Sequence, residues 1–164
     1  GRLAVTFPKS VGQIPFAFPF KPGSDESSET SVYGALYPFG HGLSYTTFQY
    51  SDLAISPSKQ GVQGNISISC TIKNIGQREG DEVVQLYLRD EVSSVTTYTQ
   101  VLRGFERITL KPEASHTVHF ELTPQELGIW DKQMNFTVEP GMFKVMIGSS
   151  SKDIRLKGEF EIAQ

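Results

Sequence analysis

Paired carboxylates are the first chemistry the sequence offers. Asp81-Glu82 and Asp90-Glu91 bracket one apolar run. Glycosidic bonds are cleaved between two carboxyl groups roughly 5–10 Å apart. Neighbours on a strand point to opposite faces, so neither pair is set to close on one sugar; both read as surface carboxylates at strand ends. Asp131 follows Trp130, the only tryptophan. An aromatic plate beside a hydroxyl acceptor suits a sugar, but tryptophan serves equally in cores and domain interfaces. His116 and His119 stand three apart, which on a strand divides them between two faces. They are expected as a partly buried His116 and a solvent-facing His119, not as a metal pair. His41, between Gly40 and Gly42, reads as a packed or hydrogen-bonded residue, with substrate contact as the alternative. Ser44 lies in Gly42-Leu43-Ser44-Tyr45-Thr46, which lacks the final glycine of a nucleophile elbow. Gly40-His41-Gly42 has Tyr45 where a dinucleotide fingerprint needs its third glycine. Asn65-Ile66-Ser67 and Asn135-Phe136-Thr137 match a glycosylation pattern short enough to arise by chance. These residues assign no catalytic site, metal or cofactor.

The elements that would position them are strands. Ile66, Ile68, Cys70 and Ile72 alternate with polar residues. So do Val84, Leu86 and Leu88, with Gln85, Tyr87 and Arg89 on the polar side. Val118-Phe120-Leu122, Phe143-Val145-Ile147 and the run from Ile154 to Ile162 repeat the pattern. Period two marks half-buried strands. Turn signals at Asn74-Ile75-Gly76, Glu79-Gly80-Asp81, Lys111-Pro112-Glu113 and Glu139-Pro140-Gly141 separate them. Thr123-Pro124 before Gln125-Glu126-Leu127 predicts one helical turn, capped by Thr123. About seven short strands with regular turns predict an all-β antiparallel sandwich.

Residues 1–42 differ. Pro8, Pro15, Pro19 and Pro22 interleave with Phe7, Phe16, Phe18 and Phe20. Proline removes backbone donors and keeps its neighbour extended. This is an extended N-terminal arm, made to lie on a surface: another domain's, or this chain's own. Residues 23–31 read as an exposed, mobile loop. The sandwich is placed at 43–164.

Composition bounds the rest. The chain has 164 residues, the size of one domain with an arm. Its net charge of −3 gives no footprint for nucleic acid. No apolar run approaches the ~18–20 residues of a membrane span. Gly1-Arg2-Leu3 does not open like a signal peptide. A single cysteine, Cys70, excludes an intrachain disulfide and leaves the compartment open.

The segment Leu36-Tyr37-Pro38-Phe39-Gly40-His41-Gly42-Leu43-Ser44-Tyr45-Thr46-Thr47-Phe48 resembles the lead-in to the C-terminal fibronectin type III-like domain of glycoside hydrolase family three, which holds β-glucosidases and β-xylosidases. Gly80 to Leu88, Leu102 to Ile108 and Glu139 to Ser151 resemble that domain's strands. Gly1 to Pro8 and Gly12 to Pro15 resemble the tail of the preceding α/β domain. Residues 23–35 match nothing in the family. The family pattern carries an aromatic, often Trp, shortly before the Pro-Gly turn; Phe136 comes closest here, and Trp130 sits earlier.

The resemblance implies a β-sandwich without catalytic groups of its own. In the family, an Asp nucleophile on a barrel and a carboxylate acid/base lie on domains upstream of Gly1, and no residue here matches either. It implies a module that braces those catalytic domains, in a periplasmic or secreted enzyme. Phe16, Phe18, Phe20, Tyr37, Phe39 and His41 would make the linker contacts. A glycan-binding module presenting Tyr87, Tyr98 and Trp130 to a polysaccharide remains open, as does an independent adhesion domain. The first of these requires the three rings to be coplanar and solvent-facing.

Overall fold

The computed structural model describes residues 1–13, 17–23 and 34–164. Phe16 and most of the 23–31 stretch lie outside the described residues. In chain order the elements are β1 (Phe7–Pro8), β2 (Ala35–Tyr37), β3 (Phe48–Ser56), β4 (Lys59–Gly61), β5 (Ile66–Asn74), β6 (Gly80–Asp90), β7 (Val101–Leu110), β8 (Ser115–Leu122), α1 (Pro124–Leu127), β9 (Ile129–Trp130), β10 (Phe136–Thr137), β11 (Gly141–Gly148) and β12 (Ile154–Ala163).

Two sheets form the sandwich. One has the order β4-β12-β11-β6-β7, the other β3-β5-β8. All pairings in them are antiparallel except β4 with β12. β1 and β2 form a small ribbon in the arm, and β9 and β10 a second one. The predicted sandwich is therefore present, with its alternation intact on the inner faces. Ile66, Ile68, Cys70 and Ile72 of β5 are buried, facing Val84 and Leu86 of β6 and Phe143, Val145 and Ile147 of β11. Branched side chains suit this setting because the pleat holds them in preferred rotamers. Phe143 and Phe160 are direct cross-strand partners and stack with centroids 5.4 Å apart. Cys70 lies at the middle of β5, hydrogen-bonded between β3 and β8, and is fully buried.

Local chemistry fixes the connections. Asn74 is buried and satisfied: its Nδ2 donates to the carbonyls of Arg78 and Leu110, and its Oδ1 accepts from Thr46 Oγ1 and Gly76 N. One side chain thus ties the β5–β6 turn to the end of β7 and to the start of the sandwich. The predicted turn of helix is α1. Thr123 Oγ1 accepts from Gln125 N, and Glu126 returns to accept from Thr123 N, a capping box.

Three expectations are corrected. Glu82 is buried, not a surface carboxylate, because the arm brings Arg2 against it. Tyr87 is fully buried although it points away from the core, because the arm covers that face of the sheet. His116 is exposed rather than partly buried; it sits near the end of β8, with Nε2 3.4 Å from Glu106 Oε1. His119 is exposed, as expected.

Candidate functional site

The arm and the outer face of the five-stranded sheet form the first surface of interest. Phe18 stacks on Phe39 with centroids 4.6 Å apart and meets Tyr87 edge-on at 5.7 Å. Phe20 lies edge-on to Phe18 at 6.3 Å, under the ammonium of Lys152. Such offset and edge-to-face pairs contribute ~0.5–1.5 kcal/mol beyond the area they bury. Polar bonds fix the register. Tyr87 Oη donates to Gln85 Oε1, while Gln85 Nε2 donates to the carbonyls of Ser149 and Gly40. Gly40 N donates to Leu3 O, Leu3 N to His41 O, and Ser151 N to Phe39 O. Gly40 is required here twice over. Its φ is +80°, and a Cβ would lie 2.1 Å from Gln85 Oε1.

The arm is anchored by charge as well. Arg2 pairs through Nη2 with Glu82 and donates from Nη1 to Gly42 O at 2.7 Å. The two side chains are only 13% and 5% exposed. Nearby, the Tyr50 hydroxyl is buried without a partner among the described residues; burial, then the Glu82 carboxylate, pushes its pKa up. Of the linker residues read from the sequence, Phe18, Phe20 and Phe39 fold back on the chain's own sandwich. Tyr37 and His41 do not join them. They stack on each other at 5.0 Å, with Phe7 edge-on to Tyr37 at 6.3 Å. This ridge is partly open, and Val5, Leu36, Leu43 and Tyr45 along the same lead-in are exposed, Leu43 at 88% and Tyr45 at 91%.

The three rings read as a sugar-binding row do not form one. Tyr87 is sealed under the arm. Tyr98 and Trp130 lie elsewhere, both lining a cavity at the β6–β7 end of the sheet. Asp131 is not an open acceptor beside Trp130. Its Oδ1 takes the backbone N–H groups of Gln133 and Asn135, which hold its carboxyl below the usual range. Two carboxylates line that cavity, Glu126 of the capping box and Asp90, the latter read from the sequence as a surface group. Burial pushes the pKa of Asp90 up to about 6; the Val92 N–H opposes this, and Glu139 and Glu91 add to it. Arg103 also lines the cavity and was not singled out by spacing, since nothing in a strand sequence says which polar residue will meet a loop.

Among the described residues, neither surface brings a nucleophile and base into contact. Asp81 is engaged by Arg107 and Thr109, and Glu91 by Lys144 and Arg89. Among the described residues, no group of three His, Cys, Asp or Glu side chains is placed to hold a metal ion.

Two stacked sheets, antiparallel but for the short β4 edge, with a strand order that alternates near and distant segments, define an immunoglobulin-like sandwich module. Within that class, residues 82–151 match the Fibronectin type III-like domain family. Relatives extend the likeness over the arm. A periplasmic β-glucosidase of Salmonella typhimurium is 41% identical over 99% of this chain and 22% of its own length. A β-xylosidase of Formosa agariphila is 42% identical over 96% of this chain and 22% of its own. The solved structure of a β-glucosidase from Erythrobacter marinus superposes with a TM-score of 0.93 at 36% identity, over 99% of this chain and 22% of that one. The chain thus spans about a fifth of the length of these relatives, and the resemblance to family-three glycoside hydrolases holds over nearly all of it.

Proposed function

We propose that this chain is the noncatalytic structural module of a family-three glycoside hydrolase of the β-glucosidase or β-xylosidase type, bracing catalytic domains of the same polypeptide. One observation carries the reading: the arm is two-sided. Its inner side is sealed on the sandwich by Phe18, Phe39, Tyr87 and the Arg2–Glu82 pair. Its outer side presents Phe7, Leu36, Tyr37, Leu43 and Tyr45 to whatever lies beside it. Every ~100 Å² of apolar area covered there contributes at most about 2.5 kcal/mol. The hydrolysis of terminal β-linked sugars belongs, on this reading, to the upstream domains. The periplasmic relative supports a periplasmic or secreted location for the whole enzyme.

The test uses the whole enzyme and the 164-residue chain side by side. Leu43→Ser with Tyr45→Ser is expected to lower the Tm of the enzyme by several degrees while leaving the chain's own melting unchanged, since both side chains are solvated in the chain. Equal effects in both, or none in either, would remove the bracing role.

A further inference from the structure

We propose that the cavity between the β6–β7 end of the large sheet and the α1–β9 segment binds one neutral pyranose ring. The site uses different residues from the arm face and does not depend on the bracing role.

The cavity measures about 260 Å³. That lies just under the ~300–1,000 Å³ typical of ligand pockets, which suits one ring rather than an oligosaccharide. Its floor is apolar, made by Leu88, Leu127 and Phe143 of the buried core. Its walls carry two accessible aromatics, Trp130 at 59% and Tyr98 at 43% exposure. Both rings leave apolar surface at the cavity that a ligand can cover. Trp130 is moreover braced: Phe136 meets it edge-on at 5.5 Å and lies so close over Gly128 that a Cβ there would sit 2.3 Å from the Phe136 ring. The plate is held in place before any ligand arrives.

The polar groups are complementary to hydroxyls. Arg103 lines the cavity, and its guanidinium supplies only donors. Asp90 supplies only acceptors when ionised, and among the described residues its carboxylate takes one long hydrogen bond, 3.3 Å from Val92 N to Oδ1. A donor and an acceptor beside an aromatic plate match a ring that has an apolar C–H face and vicinal hydroxyls able to give and take. The charge balance selects against an acidic sugar. Asp90 and Glu126 both line the cavity against the single guanidinium of Arg103, and a sugar carboxylate would meet that excess.

The chain reports on this site directly, because Trp130 is its only tryptophan. Titration of the 164-residue chain with methyl β-D-glucopyranoside and methyl β-D-xylopyranoside is expected to give a saturable change in indole emission, with a Kd on the order of 1 mM for so small a ligand. By calorimetry, Trp130→Ala and Arg103→Gln are each expected to weaken binding about tenfold or more, while Ile75→Ser, in the turn before β6, leaves it unchanged. Trp130 is exposed, so its variant keeps the fold, and an unchanged melting curve checks that. Methyl β-D-glucuronide is expected to bind about tenfold more weakly than the neutral glucoside. No saturable signal at tens of millimolar neutral sugar overturns the proposal. Binding that survives Trp130→Ala overturns the site, and equal or tighter binding of the glucuronide overturns the neutral class.

Discussion

A carboxyl group held at a raised pKa weakens the fold wherever it is ionised. Asp90 sits at about 6 in the folded chain, against roughly 3.9 when unfolded. Between those values the folded chain holds a proton that the unfolded chain releases, so stability falls as pH rises from about 4 to about 6 and stays reduced above. Asp90→Asn is therefore expected to stabilise the chain at neutral pH by about 1 kcal/mol, discounted for its partly solvated setting. The gain should vanish below about pH 4, where both states are protonated. Urea denaturation at the two pH values checks this; the same gain at both would show that packing, and not ionisation, is responsible. At this scale the sequence was a poor guide. Asp90 and Glu82 both stand at places that read as solvated strand ends. One is half-buried under the loop that leads to Tyr98, the other lies under Arg2 from 80 residues away. Long-range partners leave no trace in local spacing.

Elements were legible where one layer of packing decides them. The alternation of β5, β6, β8 and β11 named the inward faces correctly because core burial is the only force acting on those residues. The predicted helical turn with its Thr123 cap appeared because capping is local. Tyr87 shows where the method stops. Period two placed it away from the core, which is correct, but a second layer, the arm, lies on that face. The arm's aromatic and proline content announced that it would lie on something without saying on what. Its attachment can be tested at Arg2. Removing one partner of a buried ion pair usually costs ~3–5 kcal/mol. Here the arm can lift and let water reach Glu82, so Arg2→Ala is expected to cost less, about 2 kcal/mol, and to release the arm rather than the sandwich. Hydrogen exchange should quicken at Leu3, Gly40 and Ser151 while the amides of β5 and β11 stay protected. Arg2→Ala with Glu82→Gln should recover part of the loss. Quickening throughout would mean that arm and sandwich open together.

On the scale of the whole molecule, one end carries an aromatic-walled cavity and the arm wraps another face, with a single continuous core between them. The resemblance in the sequence captured the β-sandwich because family patterns record strands and turns together. It did not capture the cavity, whose walls come from β6, β7, the 95–98 loop and the α1–β9 segment. At the centre sits a lone thiol. Cys70 is fully sequestered, and burial raises its pKa to about 11, so at neutral pH it is neither reachable nor ionised. A thiol reagent can therefore modify the native chain only in the moments when β5 parts from its neighbours. Labelling is expected to proceed at the rate or population of that opening, and to be unmoved by Arg2→Ala if the arm lifts alone. The protein thus contains its own clock for global unfolding, readable by mass at one atom, with no residue changed.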